Sequence, residues 1–376
     1  MPTVQVRPAT SSRDLRRFID LPFRLYAGSR FWVPPLRMDI AAKLSPKKNP
    51  FFEHGEMQAF LATRGDEVVG RIAAIKNGKH LEKWDDGAGF FGFLEAEDDP
   101  EVFAALFQTA EGWLKARGLK SARGPVDPTM NDTAGLLVDG FDRPPSILMP
   151  YQPAYYKERI EALGYERAMT MWAYFVHDAY LDDGRLRRGV EIVRRRHPDL
   201  RVRPLDMKRF DEEVATALRL YNEAWGENWG NVGYTDAEAL HLAKELKPVL
   251  EPELFLFLEK AGEPVAFAVS LPNLNRALKH VENGRLLPFG LPKLLAMAKS
   301  GLISEIRMAL MGVGTDHRGQ GFDALLVLDT IDRGRAMGYD ACEMSWVLDV
   351  NKALTNALDK MGAVRDKEYC MVEKTF

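Results

Sequence analysis

His317-Arg318-Gly319-Gln320-Gly321-Phe322-Asp323 lies between the apolar run Glu305–Val313 and the helix-like run Ala324-Leu325-Leu326-Val327-Leu328. The reading of this heptapeptide decides the fold. The first amides of a helix have no partners inside it, and the helix dipole favours negative charge there. Glycines let the backbone close on a ligand, and Arg318 adds a cation. A pyrophosphate suits such a site. A P-loop is excluded because no Gly-Lys-Ser/Thr follows, and a dinucleotide fingerprint is excluded by the glycine spacing. The plain alternative is an ordinary glycine turn before a helix. The order strand, loop, helix, strand, helix favours the anion site.

Outward from the loop, the chain repeats itself. Val6-Arg7-Pro8 returns as Val202-Arg203-Pro204, Arg24-Leu25-Tyr26 as Arg219-Leu220-Tyr221, and Trp32 as Trp225. Gly65-Asp66-Glu67 matches Gly262-Glu263-Pro264, Ala116-Arg117-Gly118 matches Ala336-Met337-Gly338, and Leu163-Gly164-Tyr165 matches Met361-Gly362-Ala363. Five of these share an offset of about 193 to 198 residues. The Ala-x-Gly pair is about 20 residues further apart, so the second copy carries an insertion, near 272–301. The first copy carries its own extra residues near 123–150. Elements of the second copy are expected at Leu200–Pro204, Met207–Ala224, Leu254–Glu259, Pro264–Ser270, Ile306–Val313, Gly321–Met337, Ala341–Val347 and Lys352–Met361.

Composition agrees with two domains in 376 residues, with 46% apolar residues and a net charge of −3. No basic face points to nucleic acid. Two cysteines, Cys342 and Cys370, make neither a disulfide framework nor a metal spacing, and no metal is expected. No secretory signal or membrane span is read, which implies a cytoplasmic protein.

The loop and its setting resemble the GNAT N-acetyltransferase superfamily, whose pyrophosphate loop reads Gln/Arg-x-x-Gly-x-Gly/Ala. Arg318 and Gly321 match, and Asp323 departs from the pattern. The resemblance implies an α+β fold of two GNAT-like domains in tandem, 1–175 and 176–376, each a mixed, mostly antiparallel sheet flanked by helices. It implies acyl-CoA as co-substrate, held by Arg318, Gly319, Gln320, Gly321, Phe322 and Asp323, by the central strand at Met311 and Val313, and by Asn351 after the next strand. The tyrosine that serves many members as general acid is Leu358 here. In the first copy, Ala96-Glu97-Asp98-Asp99-Pro100 stands where the loop should be, and acidic residues there repel a pyrophosphate and cap a helix instead.

Acyl transfer to an amine needs a base or a desolvated site. Glu343 is the first choice of base, with Glu305 second. Ser345 is either a proton relay or a satisfied buried hydroxyl, the latter being the default. Glu343 and Ser345 project to one face of a strand by alternation. Each carboxylate has the simpler reading of a solvated strand end. Trp225 and Trp229, in the loop that covers the acceptor in this fold, and Trp346 are candidate substrate contacts, with core packing the alternative. Asn131, Asp132, Tyr151, Tyr155 and Tyr156 of the first copy are candidates for the same cleft, with turns and packing as the default.

The insertion joins Arg285, Lys293 and Lys299 to Leu286, Leu287, Phe289 and Met297. This suits an amphipathic segment at a lipid surface, such as the inner membrane, or in a lipid pocket. A packed helical hairpin is the other reading. Together with Glu343-Met344-Ser345-Trp346 it resembles a bacterial group of tandem GNAT-like proteins with ceramide synthase activity, implying a long-chain acyl group and a sphingoid-base amine as acceptor. An acetyltransferase for a small-molecule or protein amine, or a non-catalytic CoA-binding protein, is the alternative. Oligomeric state is not legible.

Overall fold

A computed structural model describes residues 2–376. The Val-Arg-Pro repeat is a strand in both halves, Val4–Pro8 and Leu200–Pro204. In each, the arginine ties the strand to the helix that follows. Arg7 pairs with Asp14 at 2.5 Å in the helix Ser12–Leu25. Arg203 pairs with Glu213 at 2.6 Å in the helix Phe210–Trp225. Every element expected in the second copy is present: Phe255–Lys260, Glu263–Pro272, Glu305–Val313 and Ala341–Leu348 are strands, and Phe322–Ala336 and Lys352–Lys360 are helices. The helix Asp236–Leu246 and the strand Val364–Thr375 are additional.

The chain forms two compact units that are not contiguous in sequence. One comprises Met1–Met171, Ala277–Ala296 and Lys367–Phe376, and the other Trp172–Arg276 and Met297–Asp366. A cut at 175/176 follows the sequence repeat, whereas each unit takes in a strand from beyond that cut. In the first unit the strand order is Val4–Pro8, Gly55–Arg64, Glu67–Asn77, Ala88–Ala96, Ser121–Gly124, then the C-terminal strand. Val372 to Thr375 pair there with Gly124 to Ser121. In the second unit it is the end of Glu166–His177, Ala341–Leu348, Glu305–Val313, Glu263–Pro272, Phe255–Lys260, Leu200–Pro204. Each sheet is antiparallel except for one parallel pair at its centre among the registered ladders, Glu305–Met308 on Ala341–Met344 and Ala88–Phe90 on Ser121–Arg123. This is the mixed, mostly antiparallel α+β architecture expected.

Core packing fixes the helix after the glycine loop. Phe322 and Leu326 are buried on Leu256, Leu258, Ala266 and Ala268 of the sheet. The insertion, expected within the second copy, sends Ala277–Ala296 to the first unit. There Gly284 accepts from the Arg37 amide at 3.0 Å, and Asn283 accepts from Arg37 Nε at 2.7 Å. Gly284 has φ +62°, and a Cβ would sit 2.5 Å from the Pro35 carbonyl, so only glycine fits.

Candidate acyl-transfer site

In the second unit the two central strands pair only as far as Met308 and Met344. Beyond these, Ala309–Val313 and Ser345–Leu348 run on without pairing to each other, leaving a wedge between them. Opposite Val269 and Ser270 the register slips past Ala309, a bulge at the wedge's mouth. Ala309, Leu310, Met311 and Val313 are half-exposed, as a strand with an open edge should be. The Met311 carbonyl accepts from Trp225 Nε1 at 3.1 Å, and Trp225 stacks on Tyr221, its ring 5.2 Å away. Asn231 accepts from the Tyr221 hydroxyl at 3.0 Å and donates to the Trp225 carbonyl at 2.8 Å, fixing the loop after the helix. Trp229 is half-buried in that loop.

At the closed end of the wedge is a buried polar chain. Arg307 Nε donates to Ser345 Oγ at 2.8 Å, and the Ser345 hydroxyl donates to Glu343 Oε1 at 2.7 Å. Arg307 Nη2 also donates to the Ser345 carbonyl at 2.9 Å, and the guanidinium lies 5.5 Å from the Trp346 ring centre. Arg307, Glu343 and Ser345 are each about 95% buried. Glu343 and Ser345 thus share a face, as alternation requires. Arg307 was not singled out from the sequence, although a charged residue inside an apolar strand signals a buried partner. Trp346 Nε1 is buried without a hydrogen-bond partner among the described residues. So is Ser270 Oγ.

Other candidates are engaged elsewhere. Glu305, at the paired end of its strand, accepts from Asn273 Nδ2 and Arg276 Nε, both at 3.0 Å. Leu358 is a core residue beside Tyr174, Met308, Met344 and Val347. The Tyr174 hydroxyl accepts from Arg365 at 2.9 Å. Burial pushes the Cys342 thiol up to about 12, so it is no nucleophile. Among the described residues no group of three or more His, Cys, Asp and Glu is placed to hold a metal ion.

The glycine loop stands at the head of the helix Phe322–Ala336 as read. Gly319 and Gly321 have φ of +72° and +80°. Among the described residues no side chain caps this helix, so its first amides remain available to an anion. Arg318 Nη2 donates to the Ala224 carbonyl at 2.5 Å, joining the loop to the helix Phe210–Trp225. Gln320 turns back on the Asp316 carbonyl at 3.2 Å. The Phe322 side chain is buried in the core, so only its amide faces the loop. Asp323 is exposed in the first turn. On the core side, Lys260 lies 5.8 Å and His197 5.3 Å from the Phe322 ring. Asn351 caps the next helix by accepting from the Leu354 amide at 3.2 Å.

The first unit has the same strands and has filled the wedge. The Phe93 amide donates to Asp127 Oδ1 at 2.5 Å. A Cβ on Gly92 would lie 1.5 Å from the Val126 carbonyl oxygen. The strand Ala88–Ala96 is buried at every residue except Glu95, in contrast to Ala309–Met311. Asp99 caps the next helix by accepting from the Glu101 amide at 2.8 Å, so the acidic stretch takes the capping role read from the sequence. Tyr155 and Tyr156 donate to this unit's own strand end: Tyr155 to the Ala96 carbonyl at 2.7 Å and Tyr156 to Glu95 at 2.9 Å. Tyr151 donates to the Phe141 carbonyl at 3.2 Å, and Thr129 donates to Asp132 at 2.8 Å within a turn.

Glu95 also accepts from Tyr26 at 2.7 Å. Burial pushes its carboxyl up from 4.5 to about 7. The unfolded chain loses that proton near 4.5 and the folded one near 7, so stability falls as pH rises between them. Glu95→Gln should remove this fall. Thermal melts at about pH 5 and about pH 8 check it: the parent should lose more stability between them than the variant.

No family model matches this sequence. The "Bacterial ceramide synthase" of Caulobacter vibrioides (strain NA1000 / CB15N) is 40% identical over 380 residues, covering 99% of this chain and 97% of the relative. "Protein YghO" of Escherichia coli (strain K12) is 35% identical over 374 residues, covering 98% and 95%. Among solved structures, a tandem GNAT protein from the clavulanic acid biosynthesis pathway superposes with a TM-score of 0.58 at 11% identity, covering 99% of this chain and 98% of that one. A GCN5-related glucosamine N-acetyltransferase region of a fungal multi-domain β-N-acetylglucosaminidase gives 0.59 at 12% identity, covering 100% and 38%. At such identities the structural likeness speaks for the fold alone, a tandem of GNAT domains. The sequence likeness runs the length of the chain, and by it this protein belongs to the family of the bacterial ceramide synthase.

Proposed function

We propose that this chain is an acyl-CoA-dependent N-acyltransferase whose acceptor is the amine of a sphingoid base and whose acyl group is long-chain. The observation that carries the reading is the open wedge beside an uncapped glycine loop in one unit, against a filled wedge and a capped helix in the other. One acyl-CoA site per chain follows. The amides of Gly319 to Asp323 and Arg318 are suited to the pyrophosphate. The unpaired, half-exposed edge Ala309–Val313 is suited to the pantetheine arm and to polarising the thioester carbonyl.

An amine with a pKa near 10 must lose a proton before it attacks, at roughly 4 kcal/mol near pH 7. Glu343 is suited to accept that proton, directly or through Ser345, and the Ser345 hydroxyl that donates to it supports the relay. Attack of the neutral amine on the thioester carbon forms the C–N bond, and collapse of the tetrahedral adduct breaks the C–S bond. The nitrogen's second proton passes to the departing sulfur, which leaves as the thiol of CoA. Leu358 offers no acid there. Trp346 Nε1–H is suited to a hydroxyl of the acceptor, a group that sphingoid bases supply and simple amines lack. The Caulobacter relative's name supports this choice of acceptor.

The test is thiol release from palmitoyl-CoA and acetyl-CoA with sphingoid bases, simple long-chain amines and amino acids. Turnover with palmitoyl-CoA and a sphingoid base is expected. Turnover confined to acetyl-CoA and small amines would replace the lipid reading. Arg318→Ala should weaken acyl-CoA binding about tenfold, by loss of one charge-assisted contact. Calorimetry should give one site per chain in the parent. Two sites, or unchanged affinity in the variant, would move the pyrophosphate away from this loop.

A further inference from the structure

Among the described residues no helix is long and apolar enough to cross a membrane. The insertion nevertheless presents its apolar side chains outward. Leu287 is 76% and Phe289 81% exposed, and Leu291 and Leu295 on the helix Gly290–Lys299 are 39% and 52% exposed. Exposure of that size on adjacent large side chains marks a contact surface. The base of the segment is held firmly: Ala277 and Val281 are buried, and Arg37 binds both Asn283 and Gly284. Met38, next to Arg37, is 63% exposed. The tip is therefore a wedge of Leu and Phe on a fixed stem.

Its charge selects the partner. From Asn283 to Ser304 the chain contains Arg285, Lys293 and Lys299 and no Asp or Glu; Glu282 and Glu305 are the flanking acids. The Lys299 side chain lies outside the described residues. Arg285 is close enough to Arg37 to help depress the latter's pKa, although burial is the larger cause. Positive charge is thus concentrated around bare leucine and phenylalanine, the pairing that suits an anionic lipid surface. A protein partner or a second copy would be expected to cover such residues with its own apolar face and would not require the absence of acids.

We propose that the segment 285–296 docks the protein on the surface of an anionic phospholipid bilayer, with Leu287 and Phe289 entering the acyl boundary and Arg285 and Lys293 at the headgroups. This rests on the reading of a lipid substrate only in giving the docking a purpose, and its test is separate.

The full chain should sediment with phosphatidylglycerol-containing vesicles and much less with phosphatidylcholine vesicles, and added salt should weaken the binding. The double variant Leu287→Ser/Phe289→Ser should partition at least about tenfold less, from the transfer energy of two large side chains. Lys293→Glu should lose the preference for anionic vesicles. Both should keep the parent melting temperature, because these side chains are exposed. Equal vesicle binding by parent and double variant would overturn the proposal. So would a parent dimer that ignores vesicles and dissociates in the double variant, which would make the face a self-interface. Turnover on a water-soluble short-chain amine with a short-chain acyl-CoA should be the same in parent and variants. If the parent shows no turnover on any substrate, the acyltransferase reading fails while vesicle binding still decides the docking.

Discussion

Glu343→Gln is expected to lower kcat by about 100- to 10,000-fold, the usual worth of a positioned base. Glutamine keeps an oxygen for the Ser345 hydroxyl, so the geometry at 2.7 Å is largely retained. What is lost is the proton acceptor. The rate should then follow the fraction of amine that is already neutral, rising about tenfold per pH unit toward the amine's own pKa near 10. The parent should be flatter over the same range. Acyl-CoA affinity should not change, since Glu343 is about 95% buried below the exposed part of the wedge. If kcat is unchanged and only the melting temperature falls, Glu343 serves to balance Arg307, opposite it in the strand register. Glu343→Ala separates the two roles further. It leaves the buried Arg307 facing a neutral methyl, at a cost of about 3–5 kcal/mol, and its activity is read only where the protein remains folded.

The second large effect lies in the first unit. Gly92→Ala should cost about 3 kcal/mol or more, or leave no soluble protein. The added methyl meets a backbone carbonyl, Val126, at 1.5 Å, and a backbone group cannot swing aside as a side chain can. To admit it, the segment Val126–Asp127 must leave the wedge, and the Phe93 amide then loses Asp127 as acceptor. Denaturant unfolding measures the loss. Gly112→Ala is the control: it sits in the exposed face of the helix Pro100–Lys115 with nothing within 4 Å of a new methyl. That change should stabilise by about 0.5–1 kcal/mol. A parent-like midpoint for Gly92→Ala would mean that the wedge of the first unit is open after all.

What the sequence discloses, and what it withholds, follows the range of each interaction. The strands and helices of the second copy are legible because their patterns are local. The loop at Arg318–Gly321 is legible for the same reason, as is the shared face of Glu343 and Ser345, two residues apart. Arg307 is another matter. Its role comes from lying opposite Glu343 in a parallel register, and parallel partners are far apart in sequence. Its one local sign was a charge inside an apolar strand. Asp127 is also illegible as an internal occupant of the first wedge, because a carboxylate in an Asp-Pro-Thr stretch reads as a turn. Glu305 looked available as a strand-end carboxylate, but Arg276, 29 residues earlier, already holds it. The repeat gave the plan of each half without the identity of the strand that completes it.

That last point has a consequence for how the protein is made. The strand Ser121–Gly124 is synthesised early, yet its neighbour, Val372 to Thr375, follows about 250 residues later. At roughly 5–20 residues per second, the ribosome takes about 12–50 s to deliver it. During that interval the nascent first unit presents an unpaired sheet edge, the kind of surface that recruits other chains. The two halves of the gene are therefore not two folding modules, and expressing either alone would strand one edge permanently.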